Sequence, residues 1–437
     1  TVTNAQPSLQ GGVWRPIPAQ WTVALPSPLI GAFMKILVVT TKSPYPLFEG
    51  RALRTYNLIK QAAREHEIHL LSFVQTQEDL DGIEHMRTIC PVVEYEKLYF
   101  EGAKTQIVKD AICELFSRAP LPVVKYRTAA MRERMRRLMQ THRYDLVHLD
   151  MLHLADYIDL CGDTPVALIE HNVEHVILDR RADTETRPLH RAYLRYQAAK
   201  LKAFEARACQ RAQHVVAVSD LDAQQLRTLA PGSQVTSVPN GVDTEFFSAQ
   251  GRPKQASSLV FVGGFTWFPN LDAIRYFCED ILPKLIQAIP DIRLTVIGKQ
   301  PDTPAVHEIA KHPHVHLAGQ VDDIRPYVDE AAAYIVPLRI GGGTRLKILD
   351  ALSMSKAIIS TSVGCEGLAV EDGRTIVMAD TPDDFAQAIV RVLRDPELAD
   401  RLGRQGRELV EQRYDWAAVA RGLMQVYADT AAQRRAG

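Results

Sequence analysis

From Met34 onward the chain alternates short, nearly unbroken runs of Val, Ile and Leu with longer amphipathic stretches. A strand covered on both faces meets water on neither, so it reads as a continuous apolar run, and helices must lie between such runs to cover a parallel sheet. In the first half the pattern predicts strands at Ile36 to Thr40, Ile68 to Phe73, Leu146 to Leu149, Val166 to Glu170 and His214 to Val218. Helices are expected between them, among them Arg51 to Arg64 and Leu189 to Arg211. The stretch from Pro231 to Ser258, rich in Pro, Gly, Ser and Gln, breaks the rhythm, which then resumes. Strands follow at Leu259 to Val262, Leu294 to Ile297, Val315 to Leu317, Tyr334 to Val336 and Ile358 to Ser360, with helices such as Leu271 to Ala288 and Arg345 to Ser353. The expected fold is therefore α/β, with two doubly wound, Rossmann-like domains at 34–240 and 241–414. A final helix at 415–437 is expected to pack back toward the first domain. Open parallel sheets bind ligands beyond the carboxyl ends of their strands. A cleft between the two domains is where chemistry is expected.

The 437 residues are 46% hydrophobic and 24% charged, which fits a packed, ordered protein. A formal net charge of -1 leaves no cationic excess for a dedicated nucleic-acid binder, so no nucleic-acid partner is expected. The six cysteines (Cys90, Cys113, Cys161, Cys209, Cys278, Cys365) form no Cys-x-x-Cys pair and read as thiols of a reducing, cytoplasmic compartment. Residues 1–33 lack a periodic pattern and read as a disordered leader ahead of a start at Met34. A signal peptide is the rival reading, opposed by Pro26, Pro28 and Gly31 within the apolar part.

The sharpest motif is Pro337-Leu-Arg-Ile-Gly-Gly-Gly-Thr-Arg-Leu-Lys-Ile-Leu-Asp350, set between a strand and a helix. Gly341, Gly342 and Gly343 let backbone approach a ligand, Thr344 can cap the helix, and the free amides of its first turn attract anions. Arg345 and Lys347 place two cations where the helix dipole favours acidic groups. That misplacement points to a bound phosphate. Arg345 to Asp350 spans about 7.5 Å of helix rise, enough for a diphosphate at one end and a ribose at the other.

This element resembles that of the family 4 retaining glycosyltransferases, which have the two-domain GT-B architecture, and in particular the bacterial sugar transferases found with PEP-CTERM-linked exopolysaccharide systems. The resemblance covers nearly everything after Met34. It implies transfer of a sugar from a UDP- or GDP-sugar donor to a glycan or lipid-linked acceptor with retained configuration, without cofactor or metal. Relatives carry two Glu residues eight apart here; the first falls on Gly342, and the second, which binds the donor ribose, falls on Asp350. Gly263 and Gly264 match the turn beside the donor phosphates, and a basic residue of relatives is replaced at Thr266 or Trp267, which passes its duty to Arg345 and Lys347. Lys299 and Val321 fall where relatives grip the nucleobase through backbone groups, and Ser237 to Asp243 matches the interdomain hinge.

On the acceptor side, relatives have Gly-Gly at Glu49-Gly50, so Gly50 lets the loop pass close to donor and acceptor. His171, at a strand end, matches the His that reaches the transferred sugar. His171 and His175 are spaced for a metal on a helix, but no third ligand is evident, and Asp322-Asp323 reads as a solvated turn. Lys125, Arg127, Arg132, Arg134, Arg136, Arg137 and Arg143, interleaved with Val124, Met131, Met135 and Leu138, read equally as a helix for anionic membrane or as a solvated face. Two rivals stay open: a non-catalytic nucleotide-sugar-binding subunit, and an epimerase or phosphorylase of the same fold.

Overall fold

The computed structural model describes residues 32–47, 50–98, 119–185, 187–340 and 346–436. Their strands are β1 (Lys35–Thr40), β2 (Glu67–Val74), β3 (Val92–Lys97), β4 (Leu146–Asp150), β5 (Val166–Glu170), β6 (His214–Ala217) and β7 (Val235–Ser237), then β8 (Gln255–Val262), β9 (Arg293–Ile297), β10 (Val315–Gly319), β11 (Ala331–Val336), β12 (Ile358–Ser360) and β13 (Val377–Met378). The first seven form one parallel sheet in the order β3-β2-β1-β4-β5-β6-β7. The remaining six form a second, β10-β9-β8-β11-β12-β13.

Each strand alternates its side chains between two cores, as the pleat requires. Leu37 and Val39 point into one core of the first sheet, and Ile36 and Val38 into the other. In the second sheet Leu259 and Phe261 enter one core and Val260 the other. Burial on both faces is why these strands read as continuous apolar runs.

The helix expected over Leu271 to Ala288 runs in three parts: Phe268–Tyr276, a π turn at Phe277–Ile281, and Leu282–Ala288. Pro283 has no amide hydrogen to donate into an α-helical ladder, and the wider turn before it absorbs that loss.

The chain crosses between the sheets twice, and the crossings run side by side. Val242 bridges to Asp415, and the Thr244 hydroxyl donates to the Asp415 carboxylate at 2.7 Å. A Cβ on Gly241 would lie 2.6 Å from the Trp416 ring, so this position has room only for glycine. The final helix, Trp416–Ala436, then buries Trp416, Val419, Leu423 and Tyr427 against the core of the first sheet that holds Ile36 and Val38.

Of the basic segment, Arg132, Arg134, Arg136 and Arg137 lie on the Ala129–Thr141 helix, while Lys125, Arg127 and Arg143 lie outside it. Met131, Met135 and Leu138 face the core, while Arg134 pairs with Glu96 at 2.9 Å and Arg137 with Glu94 at 2.5 Å. Its apolar stripe is spent on folding, which leaves only charge for any membrane contact. Among the described residues no helix is long and apolar enough to cross a membrane.

Candidate active site

Each sheet has one topological switch point, between β1 and β4 and between β8 and β11, where successive connections leave in opposite directions and open a crevice. Among the described residues, those singled out in the sequence follow the carboxyl ends of β1, β5, β8, β9 and β10 or lie on the Leu346–Ser353 helix after β11. Gly50 begins the Gly50–Ala62 helix after β1, and a Cβ there would lie 2.9 Å from Leu346 of the second domain. The two halves of the site therefore meet at Gly50, and any side chain would push against the start of the Leu346–Ser353 helix.

On the second sheet, Gly263 and Gly264 close β8. The Gly263 amide donates to Ile297 at 2.7 Å, and a Cβ on Gly298 (φ 140°) would collide with Gly263 and Gly264 backbone. Glycine is needed at 298 for both reasons. The Phe265 amide donates to the Lys299 carbonyl at 2.8 Å, so Lys299 takes part through its backbone. Val321, after β10, packs at the edge of the core that holds Val260, Ile297 and Ile348.

Lys347 reaches this turn from the Leu346–Ser353 helix. Its ammonium donates to Asn270 Oδ1 at 2.7 Å and lies 4.6 Å from the centre of the Phe261 ring, a cation–π contact. A Cβ on Gly263 would come within 2.8 Å of Lys347 Nζ. Asn270 in turn donates from Nδ2 to the Gly264 carbonyl at 2.9 Å, which ties the ammonium to the glycine turn. Gly341, Gly342, Gly343, Thr344 and Arg345 lie outside the described residues.

Asp350 shares the Lys347 flank and keeps part of its surface accessible. Burial of its carboxyl pushes the pKa up to about 7. A carboxylate accepting two ribose hydroxyls must be ionised, so affinity for a ribonucleotide should rise as pH increases through about 7. Asp350→Asn should flatten that profile, and a 2',3'-dideoxy nucleotide should show little of it. The folded-state pKa lies above the unfolded value, so the native state holds a proton that the unfolded chain releases, and that contribution is lost as pH rises through about 7. Asp350→Asn should therefore raise the melting temperature more at pH 8 than at pH 5. Equal pH profiles of parent and Asn variant for ribonucleotide binding would remove Asp350 from the site.

On the first sheet, His171 follows β5 and is held by Asp150, the last residue of β4. His171 Nε2 lies 2.9 Å from Asp150 Oδ1, and the Thr55 hydroxyl donates to Oδ2 at 2.7 Å. Burial works to raise the Asp150 pKa, but the charges of His171 and His148 and their hydrogen bonds outweigh it and hold the carboxylate well below its ordinary range. A hydrogen bond from Nε2–H to a fixed carboxylate orients the ring and leaves Nδ1 for a ligand. Met151, next along the chain, adopts φ 135°, a strained backbone for a side chain of its size and one that clusters at functional sites.

His175 does not join His171. Its Nδ1 bonds to buried Glu205, which also accepts the Glu174 amide at 2.8 Å. The two imidazoles of the i, i+4 pair are committed to different carboxylates, and among the described residues no group of three potential ligands forms a metal site. Asp323 is paired with Arg325 at 2.8 Å.

Sequence reasoning missed Asp150, Thr55 and Asn270. Asp150 had one usable signal: it is the charged residue that closes the apolar run Leu146 to Leu149. Asn270 had none, since only the fold brings it to Lys347.

Comparison with known proteins follows the same division. Residues 49–246 match the family described as Glycosyltransferase Family 4, and residues 256–395 match Glycosyl transferases group 1. The chain is 29% identical over 226 residues to phosphatidyl-myo-inositol mannosyltransferase of Mycobacterium tuberculosis; the match spans 48% of this chain and 58% of that protein's own length. It is 21% identical over 394 residues, 87% of this chain and 96% of the other, to an uncharacterized 44.6 kDa protein in the cps region of Klebsiella pneumoniae. Among solved structures, sucrose-phosphate synthase from Thermosynechococcus elongatus superposes with a TM-score of 0.67 at 18% identity, over 92% of this chain and 100% of that one. That likeness concerns the fold, the GT-B arrangement of two parallel-sheet domains.

Proposed function

We propose that this chain, built from a family 4 glycosyltransferase domain followed by a group 1 domain, moves a sugar from a UDP- or GDP-sugar to a glycan or lipid-linked acceptor with retained configuration. It acts in the cytoplasm, at the inner face of the cell membrane where the acceptor is lipid-linked, in exopolysaccharide or cell-surface glycan synthesis. The observation that carries this reading is the meeting of the two switch points: Gly50 against Leu346, with His171 on one side and Gly263, Gly264, Lys347 and Asp350 on the other.

The donor diphosphate lies against the Gly263-Gly264 turn and the Lys347 ammonium. As the sugar–phosphate bond breaks, negative charge grows on the leaving diphosphate, and a cation fixed in place beforehand stabilises that state more than the ground state. Asp350 accepts the ribose hydroxyls. His171, oriented by Asp150, faces the transferred sugar from the first domain. This arrangement meets the developing charge with protein groups, and the transfer is expected to run in a chelator.

Purified protein incubated with a panel of UDP- and GDP-sugars in EDTA should release nucleoside diphosphate from one donor class, and NMR of the product should show the donor's anomeric configuration. That donor at 100 times its dissociation constant should add about 2.7 kcal/mol of stability. Binding without release, with or without added acceptor glycans, would return the chain to the non-catalytic reading. Strict dependence on Mg2+ or Mn2+ would overturn the metal-free site.

A further inference from the structure

Leu146, at the start of β4, enters the core that holds Ile36, Val38, Ile169 and Val216, and the period of two along a strand puts His148 and Asp150 on the same face. Both are buried: His148 is 2% and Asp150 4% exposed. Buried polar groups are disfavoured unless hydrogen-bonded, and apolar residues of similar volume would serve packing at least as well. Two polar side chains in succession on an inward face need a reason beyond packing.

That reason runs from the Trp416–Ala436 helix to His171. Tyr427, 2% exposed, places its hydroxyl 2.6 Å from His148 Nδ1. The two ring centres lie 5.9 Å apart with the planes crossed at 67°. His148 Nε2 lies 3.5 Å from Asp150 Oδ1, the longest contact of the set, and His171 Nε2 reaches the same oxygen at 2.9 Å. The sense of each bond follows from Asp150. Burial works against its charge, but His171 and His148 outweigh it and keep the carboxylate ionised, and a carboxylate only accepts. Both imidazoles must then present Nε2–H to Oδ1. A neutral His148 is left with a lone pair at Nδ1, and Tyr427 donates to it. Burial, then the Asp150 charge, push the Tyr427 pKa up, so the phenol keeps its proton. Arg54, whose hydrogen bonds go to Val238, Pro239 and Asn240, also feels the Asp150 charge. Both stretches of chain that pass between the sheets thus bear on one carboxylate.

We propose that Tyr427, acting through His148 and Asp150, is a positioning residue for His171. Tyr427 fixes the His148 tautomer, His148 fixes the Asp150 carboxylate, and Asp150 holds the His171 ring with Nδ1 left for a ligand. The helix that returns from the second domain is thereby part of the site. That His171 meets the transferred sugar rests on the transferase reading, whereas the order of tautomers along the chain does not.

The test is 15N NMR of the histidine rings in the nucleotide-free full chain at pH 8, paired with transfer kinetics on the donor that the protein accepts. In the parent, His148 and His171 should both be in the Nε2–H tautomer. A proton on Nδ1 of either ring overturns the proposal without needing any variant to fold. Tyr427→Phe should shift the nitrogen resonances of His171, at the far end of the chain of bonds, and lower kcat about tenfold. The KM for the donor should change less than twofold, because Gly263, Gly264, Lys347 and Asp350 are untouched. Leu423→Ala, one turn earlier on the same buried face of the helix, is the packing control. It should lower the melting temperature at least as much as Tyr427→Phe while leaving the His171 resonances and kcat near parental values. A Tyr427→Phe variant that loses melting temperature alone makes Tyr427 a packing residue and overturns the proposal. Should no donor be turned over, the kinetic arm fails with the transferase reading, and the ring nitrogens alone decide whether Tyr427 positions His171.

Discussion

Lys347→Ala is expected to weaken binding of the nucleoside diphosphate by about ten- to 150-fold. A charge-assisted hydrogen bond is worth roughly 1.5 to 3 kcal/mol, and about 1.4 kcal/mol is a factor of ten. Stability should change little, because the side chain is only partly buried and leaves behind Asn270, which keeps its bond to the Gly264 carbonyl. Gly263→Ala offers a second route to the same end without removing charge. Its new carbon would lie 2.8 Å from both Lys347 Nζ and the Asn270 amide, and the ammonium would have to leave the glycine turn. Two folded variants that bind the nucleotide with parental affinity would show that Lys347 is only a surface cation beside a turn.

Lys347 stood out in the sequence through a conflict between local rules, since basic residues opening a helix after three glycines have a poor structural reason to be there, whereas Asp350 was reached through the family resemblance. The sheet centres were legible for a related reason, since β1, β4, β5 and β6 carry apolar residues on both faces. The edges were not. β3 reads Val-Val-Glu-Tyr-Glu-Lys because, among the described residues, one of its sides has no neighbouring strand, and its two glutamates are occupied by Arg134 and Arg137 rather than by the core. β7 and β13 are too short to show any period. On the first-domain side, hydrogen bonds join Thr55 and His171 to Asp150, three residues that no local spacing connects. Only the parallel register that sets Thr40 beside Asp150 makes them neighbours.

The same dependence on long-range contacts makes Arg54 the position where one substitution should cost the fold most. Arg54 is 1% exposed and donates across the first crossing between the sheets: to the Val238 carbonyl at 2.7 Å, to the Pro239 carbonyl at 2.5 Å and to Asn240 Oδ1 at 3.0 Å. Burial lowers its pKa to about 10 while Asp150 works to raise it, so the guanidinium stays charged under physiological conditions. Arg54→Met keeps most of the volume but strands buried carbonyls and removes a cation that the buried Asp150 feels. Leaving such partners uncompensated costs about 3 to 5 kcal/mol. At about 2 °C per kcal/mol for a long chain, the melting temperature should fall by about 6 to 10 °C. Arg54→Lys, which retains the charge but cannot reach three acceptors in a fixed fork, should fall between the two. Since the crossing at 238–242 runs beside the one at 414–416, the loss should also loosen the angle at which Gly50 meets Leu346. Hydrogen exchange should then rise at Val238 to Val242 and Tyr414 to Trp416 together. A parental melting temperature with unchanged exchange at both crossings would mean that Arg54 does not hold the two domains in register.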